Sequence, residues 1–232
     1  MIKLILFDID GTLVLTGGAG ARAMTRAFEE LFGVPRELES IPMAGRTDAW
    51  IVSQMATQCG LASDDPVLPR FQDAYVDYLA EEIHHPGPRK GVLPGVRPLL
   101  EALDSREDVH VGLLTGNFER GARIKLQYFD LWQFFRSGAF GDGAHERNGL
   151  LPVALERAAA CGVRVPSSDV VIVGDTPLDV EVALSGGARS LAVATGSYDA
   201  DALRASGADV VFEDLSDLDA VLEAVGANRS PA

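Results

Sequence analysis

Five short segments of the 232-residue chain are almost wholly apolar and rich in β-branched and aliphatic residues: IKLILF (2–7), VHVGLL (109–114), DVVIVG (169–174), SLAVAT (190–195) and ADVVFE (208–213). Runs of this kind, apolar throughout where a half-buried strand would alternate, suit parallel strands covered on both faces. Between them the spacing turns helical, at 94–105, 151–162, 176–187 and 216–227, with several segments started by Ser, Thr or Pro and ended by Gly. Strands that alternate with helices predict an α/β fold built on a doubly wound parallel sheet.

The rhythm breaks after the first strand. About a hundred residues separate Phe7 from Val109, too many for one crossover, and the stretches 20–33, 47–60 and 68–85 are helical in spacing with no convincing strand among them. This predicts an α-helical domain, 15–88, inserted into an α/β core domain formed by 1–14 and 89–232. The Pro- and Gly-dense stretch 84–95 returns the chain to the sheet.

Composition narrows the picture. With 47% hydrophobic residues the chain can bury a sizeable core. A formal charge of −14 opposes binding to nucleic acid, so any phosphate-bearing partner must be held locally. No apolar run approaches the roughly 18–20 residues of a membrane span, and the amino terminus leads straight into a strand pattern, so the expectation is a cytoplasmic protein with no membrane partner. Cys59 and Cys161 lack C-x-x-C spacing and are expected to be inert packing residues. Nothing in the pattern specifies an oligomeric state.

In open α/β sheets, ligands bind beyond the carboxyl ends of the strands, near the point where strand order reverses. The polar residues at those ends are Asp8, Asp10 and Thr12 after the first strand, Thr115, Gly116 and Asn117 after the second, and Asp175 and Asp179 after the third. Singly, such residues are ordinary turn and cap residues. Together, four carboxylates at one sheet edge would repel each other and raise their pKa values unless a cation neutralised them. Oxygen-only ligands favour a hard ion, and the expectation is Mg²⁺. Such a site suits phosphoryl transfer, in which a carboxylate can form an aspartyl phosphate while hydroxyl, backbone N–H and cation hold the phosphoryl oxygens.

These residues resemble the motifs of the haloacid dehalogenase-like superfamily. Asp8-Ile9-Asp10-Gly11-Thr12 matches its first motif, Thr115 at the end of a hydrophobic strand its second, and Gly174-Asp175-Thr176-Pro177-Leu178-Asp179 its fourth. The resemblance covers the whole chain and implies a nucleophilic role for Asp8, with Asp10 as general acid and then base. It further implies Mg²⁺ held by Asp8, Asp175 and the main-chain carbonyl of Asp10, with Asp179 supporting the metal site. Thr115, with the backbone of Gly116 and Asn117, would hold phosphoryl oxygens, and Thr12 would brace the loop. The family usually has a lysine as its third motif. Here Arg147, just before a helix, is favoured by its placement, and Lys125 is its rival, reading equally as a solvated helix residue. Retention of Asp10, which true dehalogenases of this family lack, points to phosphoester chemistry, where an acid must protonate a leaving alkoxide.

The insertion resembles the α-helical cap of the subgroup that contains phosphoglycolate phosphatases and β-phosphoglucomutases, a cap that closes over the site and chooses the substrate. The glycines of LTGGAG (15–20) then read as a hinge. Arg46, at a helix start in the insertion, could lean into the cleft and bind an anionic leaving group, or stay solvated. Trp50, Phe71 and Tyr75 fit a helix core, His84 and His85 an exposed loop, and His145 a loop near Arg147. The expectation is a Mg²⁺-dependent phosphatase acting on a small phosphorylated metabolite through phospho-Asp8. A phosphomutase using the same intermediate and a non-catalytic phosphate-ligand-binding protein stay open.

Overall fold

The computed structural model describes residues 3–33, 41–58, 60, 67–142 and 146–227. Cys59 and His145 lie outside the described residues. In chain order the elements are β1 (Lys3–Phe7), β2 (Val14–Leu15), α1 (Ala19–Phe32), α2 (Asp48–Gln58), α3 (Val67–Glu82), β3 (Gly91–Val92), α4 (Val96–Asp104), β4 (Val109–Leu114), α5 (Glu119–Tyr128) and β5 (Ser137–Ala139). They continue with α6 (Leu150–Ala160), β6 (Val170–Gly174), α7 (Pro177–Gly186), β7 (Arg189–Val193), α8 (Ala200–Ala205), β8 (Val210–Phe212) and α9 (Leu218–Ala224).

Six parallel strands form one sheet in the order β5-β4-β1-β6-β7-β8. Strand order reverses at β1: β4 and β5 lie on one side of it, β6 to β8 on the other. The reason for the unbroken apolar runs is visible in the packing. Ile5 and Phe7 enter a core with α4, α5 and α9, whereas Leu4 and Leu6, one residue out of phase, enter a second core with α6 and α7. The five predicted strands are all present, four with ends shifted by one or two residues and β4 at the bounds expected of it. The elements without an apolar pattern of their own (β2, β3, β5 and α8) are two to six residues long and exist because neighbours pair with or pack on them.

Helices α1, α2 and α3 lie between β2 and β3, which pair antiparallel with Val14 opposite Val92. They share a hydrophobic cluster that includes Met24, Phe28, Ile51, Met55, Phe71, Tyr75 and Leu79. Phe71 and Tyr75 are buried in it as expected, and Trp50 packs against its edge. Where the chain leaves the sheet, Gly17 and Gly18 take left-handed φ values of 64° and 81°, which cost glycine little. Arg22 donates to the Gly17 carbonyl at 2.7 Å and to Glu82 at 2.6 Å, and Arg26 donates to Glu82 at 3.0 Å. The start of α1 and the end of α3 are thereby tied at one point. These hydrogen bonds, Arg22's foremost, hold the Glu82 carboxyl at about 2 against the upward push of burial.

Cys161 departs from expectation. It is exposed at the carboxyl-terminal cap of α6, one residue past the end of the helix. Among the described residues no helix is long and apolar enough to cross a membrane.

Candidate active site

The carboxyl ends of β4, β1 and β6, three adjacent strands, meet beneath a cavity of about 310 Å³. Its floor holds Asp8, Asp10, Gly116, Asn117, Lys125, Arg147 and Asp175. A sheet whose order reverses at β1 splays its loops apart there, which is why a crevice opens at this edge.

Asp8 is buried at the end of β1, its N–H bonded to the Val173 carbonyl at 2.9 Å. One oxygen from each of Asp8, Asp175 and Asp179 lies within 4.8 Å of the others. Thr12 donates to Asp175 Oδ1 at 3.0 Å, so it braces that carboxylate as well as its own loop. Gly11 passes directly over Asp175 with φ of 85°; any side chain there would collide with the carboxylate. Burial, then the charges of Asp179 and Asp8, push the Asp175 carboxyl well above the usual carboxylate range, against the pull of Thr12 and Arg147. Three crowded carboxylates with oxygen donors only, two of them (Asp175 and Asp179) pushed up by burial, are a donor set that fits a hard divalent cation.

Asp179 has a second use. Its Oδ2 accepts from the Thr176 N–H at 3.1 Å and the Thr176 hydroxyl at 2.8 Å, which starts α7 firmly behind Pro177. Its other oxygen pairs with Arg147, which also reaches Asp8 Oδ2 at 2.8 Å and the Gly45 carbonyl at 2.9 Å. Arg147 is buried in the short turn ahead of α6, and one planar guanidinium spans all three partners. Its Nε is buried without a hydrogen-bond partner among the described residues. Burial acts to lower the Arg147 pKa, but Asp179 and Asp8 outweigh it and hold the guanidinium protonated.

Lys125 is also here, on the other flank. It is buried in the last turn of α5, and its Nζ donates to Asp10 Oδ2 and to Asn117 Oδ1, both at 2.6 Å. Asn117 Nδ2 donates to the same Asp10 oxygen at 2.9 Å and to Thr115 Oγ1 at 2.8 Å. Arg147 therefore faces Asp8 and Asp179 whereas Lys125 faces Asp10, so the two cations pair with different carboxylates. The signal for Lys125 was present in the sequence: α5 buries Gly121, Ala122, Lys125 and Leu126, a stripe at helical spacing with a lysine inside it.

The helical segment presses on the second motif. Thr47 caps α2 through Trp50 N–H at 3.1 Å, and the next residue docks: Asp48 N–H donates to the Gly116 carbonyl at 2.7 Å, and Phe118 N–H donates to Asp48 Oδ2 at 2.8 Å. Gly116 has to be glycine because the Arg46 carbonyl sits where a side chain would start. The Arg46 side chain is exposed, lies 4.6 Å over the Trp50 ring and lines the cavity. Two further cavity residues had no place in the site read from the sequence. Asp48 is buried, and that burial lifts its carboxyl to about 7; Arg89, exposed and with an unusual φ of 50°, lines the mouth.

Residues 2–187 match the family described as haloacid dehalogenase-like hydrolase. The chain belongs to that family. Among curated relatives it is 30% identical to a phosphoglycolate phosphatase of Rhodospirillum rubrum, over 94% of this chain and 90% of that one. It is 29% identical to a phosphoglycolate phosphatase of Chromobacterium violaceum, over 94% and 95%. Among solved structures, CbbY from Rhodobacter sphaeroides in complex with phosphate shares the fold, with a TM-score of 0.73 at 20% identity over 94% of this chain and 96% of that one. In this haloacid dehalogenase-like hydrolase, Asp8 and Asp10 after β1 and Asp175 after β6 thus lie where the fold forms a cavity, beside Gly116 and Asn117 after β4.

Proposed function

We propose that this chain is a Mg²⁺-dependent phosphatase that hydrolyses a small phosphorylated metabolite through an aspartyl phosphate on Asp8, beneath a cap formed by residues 15–88. The observation that carries this reading is the convergence of Asp8, Asp10, Thr115 and Asp175 at three adjacent strand ends beside a cavity of about 310 Å³. Asp8, Asp175 and the main-chain carbonyl of Asp10 would hold the Mg²⁺, with Asp179 supporting the site. When bound, the ion neutralises the charge that otherwise keeps a carboxylate from a phosphate.

The protein's own groups divide the work. Asp8 Oδ attacks phosphorus, forming the aspartyl–phosphorus bond as the ester P–O bond breaks. Asp10 gives its proton to the departing alkoxide, then takes one from the water that hydrolyses the acyl phosphate and frees Asp8. Arg147 keeps Asp8 aligned and offsets its charge. Thr115 and the backbone of Gly116 and Asn117 receive phosphoryl oxygens.

For the substrate, Arg46 and Arg89 at the cavity mouth favour a compact phosphoester with a second anionic group. The names of the relatives make 2-phosphoglycolate the first compound to try. A panel of phosphometabolites with Mg²⁺ is expected to yield stoichiometric phosphate with no isomerised sugar phosphate. Chelation should abolish turnover, and Asp8→Asn should reduce it by more than about 10³-fold. Full activity in that variant would remove Asp8 as nucleophile.

A further inference from the structure

A buried lysine is costly unless its charge is used. Lys125 lies 4% exposed on the core face of α5, between Ala122 and Leu126, where an apolar side chain would pack as well. Its charge goes instead to Asp10, whose side chain is 42% exposed at the cavity. Both Lys125 and Asn117 bind the same oxygen of that carboxylate, Oδ2, and Oδ1 has no hydrogen bond among the described residues. The two oxygens are thus made unequal. Asn117 is itself held at both ends, by Lys125 on its carbonyl and by Thr115 Oγ1 on its amide. A chain of contacts fixes the first-motif acid to the second-motif loop.

We infer that Lys125 is a positioning residue for phosphoester cleavage: it pins Asp10 Oδ2 and leaves Oδ1 as the oxygen that exchanges a proton with the leaving group. The inference rests on the general-acid role proposed above for Asp10. A half-exposed carboxylate can otherwise rotate among its rotamers, and a misplacement of about 1 Å can cost about 10²-fold in rate.

The test compares two leaving groups. An alkyl phosphate, the best substrate of the panel, needs its alkoxide protonated as it departs, whereas the phenolate of p-nitrophenyl phosphate leaves without a proton. Lys125→Met is expected to lower kcat/KM by about 30-fold or more on the alkyl ester and by less than about threefold on the aryl ester. Asp10→Asn, assayed beside it, should show the same selectivity more strongly. If Asp10→Asn falls equally on both esters, the acid role of Asp10 fails. If Asp10→Asn is selective but Lys125→Met falls equally on both, falls on neither, or only raises KM alike, the role of Lys125 is overturned and that of Asp10 stands. Circular dichroism and melting establish that the variants fold. Should Lys125→Met not fold, Lys125→Arg takes its place: a selective loss on the alkyl ester supports positioning, and an equal loss on both overturns it.

Discussion

Arg147 compensates two buried carboxylates with one guanidinium, so the site is sensitive to that single side chain. Arg147→Met would leave Asp8 and Asp179 buried and unpaired, a defect that costs about 3–5 kcal/mol when a buried pair loses one partner. The expected outcome is a loss of about 10²–10³-fold in kcat/KM, together with a lower melting temperature, read by steady-state kinetics and thermal unfolding. Arg147→Lys keeps the charge but lacks the fork that reaches Asp8, Asp179 and the Gly45 carbonyl together, so it should fall between the two. Wild-type turnover in Arg147→Met would show that the pair only packs.

At the scale of elements, α2 is held to the β4–α5 loop by a residue that is uneasy when charged. Asp48 is hydrogen-bonded to Phe118 N–H but buried, and its carboxyl stands at about 7 against an ordinary value of 3.8. The sign follows: a carboxyl whose folded value is raised makes the protein less stable as pH rises from about 4 to 7, because the unfolded chain ionises it at lower pH. Asp48→Asn keeps an acceptor for Phe118 N–H and removes the titration. Its stability relative to wild type should therefore rise between pH 4 and pH 8, measured by denaturant unfolding at each pH. A constant difference across that range would show that Asp48 does not carry the effect.

Over the whole molecule, the formal charge is −14, and among the described residues Asp8, Asp175 and Asp179 gather three of the acidic groups in one buried cluster. A divalent cation that binds there only in the folded state stabilises by mass action, by about 2.7 kcal/mol at a hundredfold excess over its dissociation constant. Mg²⁺ should raise the melting temperature beyond what K⁺ does at matched ionic strength, EDTA should reverse the rise, and Asp175→Asn should remove it. An equal response to both salts would mean general screening of the negative surface and no specific site.

The strand runs, the helical insertion and the carboxylates at strand ends were legible in the sequence because each is a local pattern: unbroken apolar stretches, helical spacing, and polar residues where those stretches stop. The sequence by itself therefore determined the α/β sheet and nominated Asp8, Asp10, Thr115 and Asp175 as one cluster. It favoured Arg147 over Lys125 only by its placement before a helix, and left Lys125 reading equally as a solvated helix residue. Only the tertiary structure assigned them, through packing that turns α5 so that Lys125 meets Asp10 and sets the turn before α6 against Asp8 and Asp179. Asp48 and Arg89 likewise became cavity residues only when α2 and the returning linker docked on the sheet edge. A side chain's direction depends on the rotation and approach of whole elements, which long-range contacts decide and local spacing does not record.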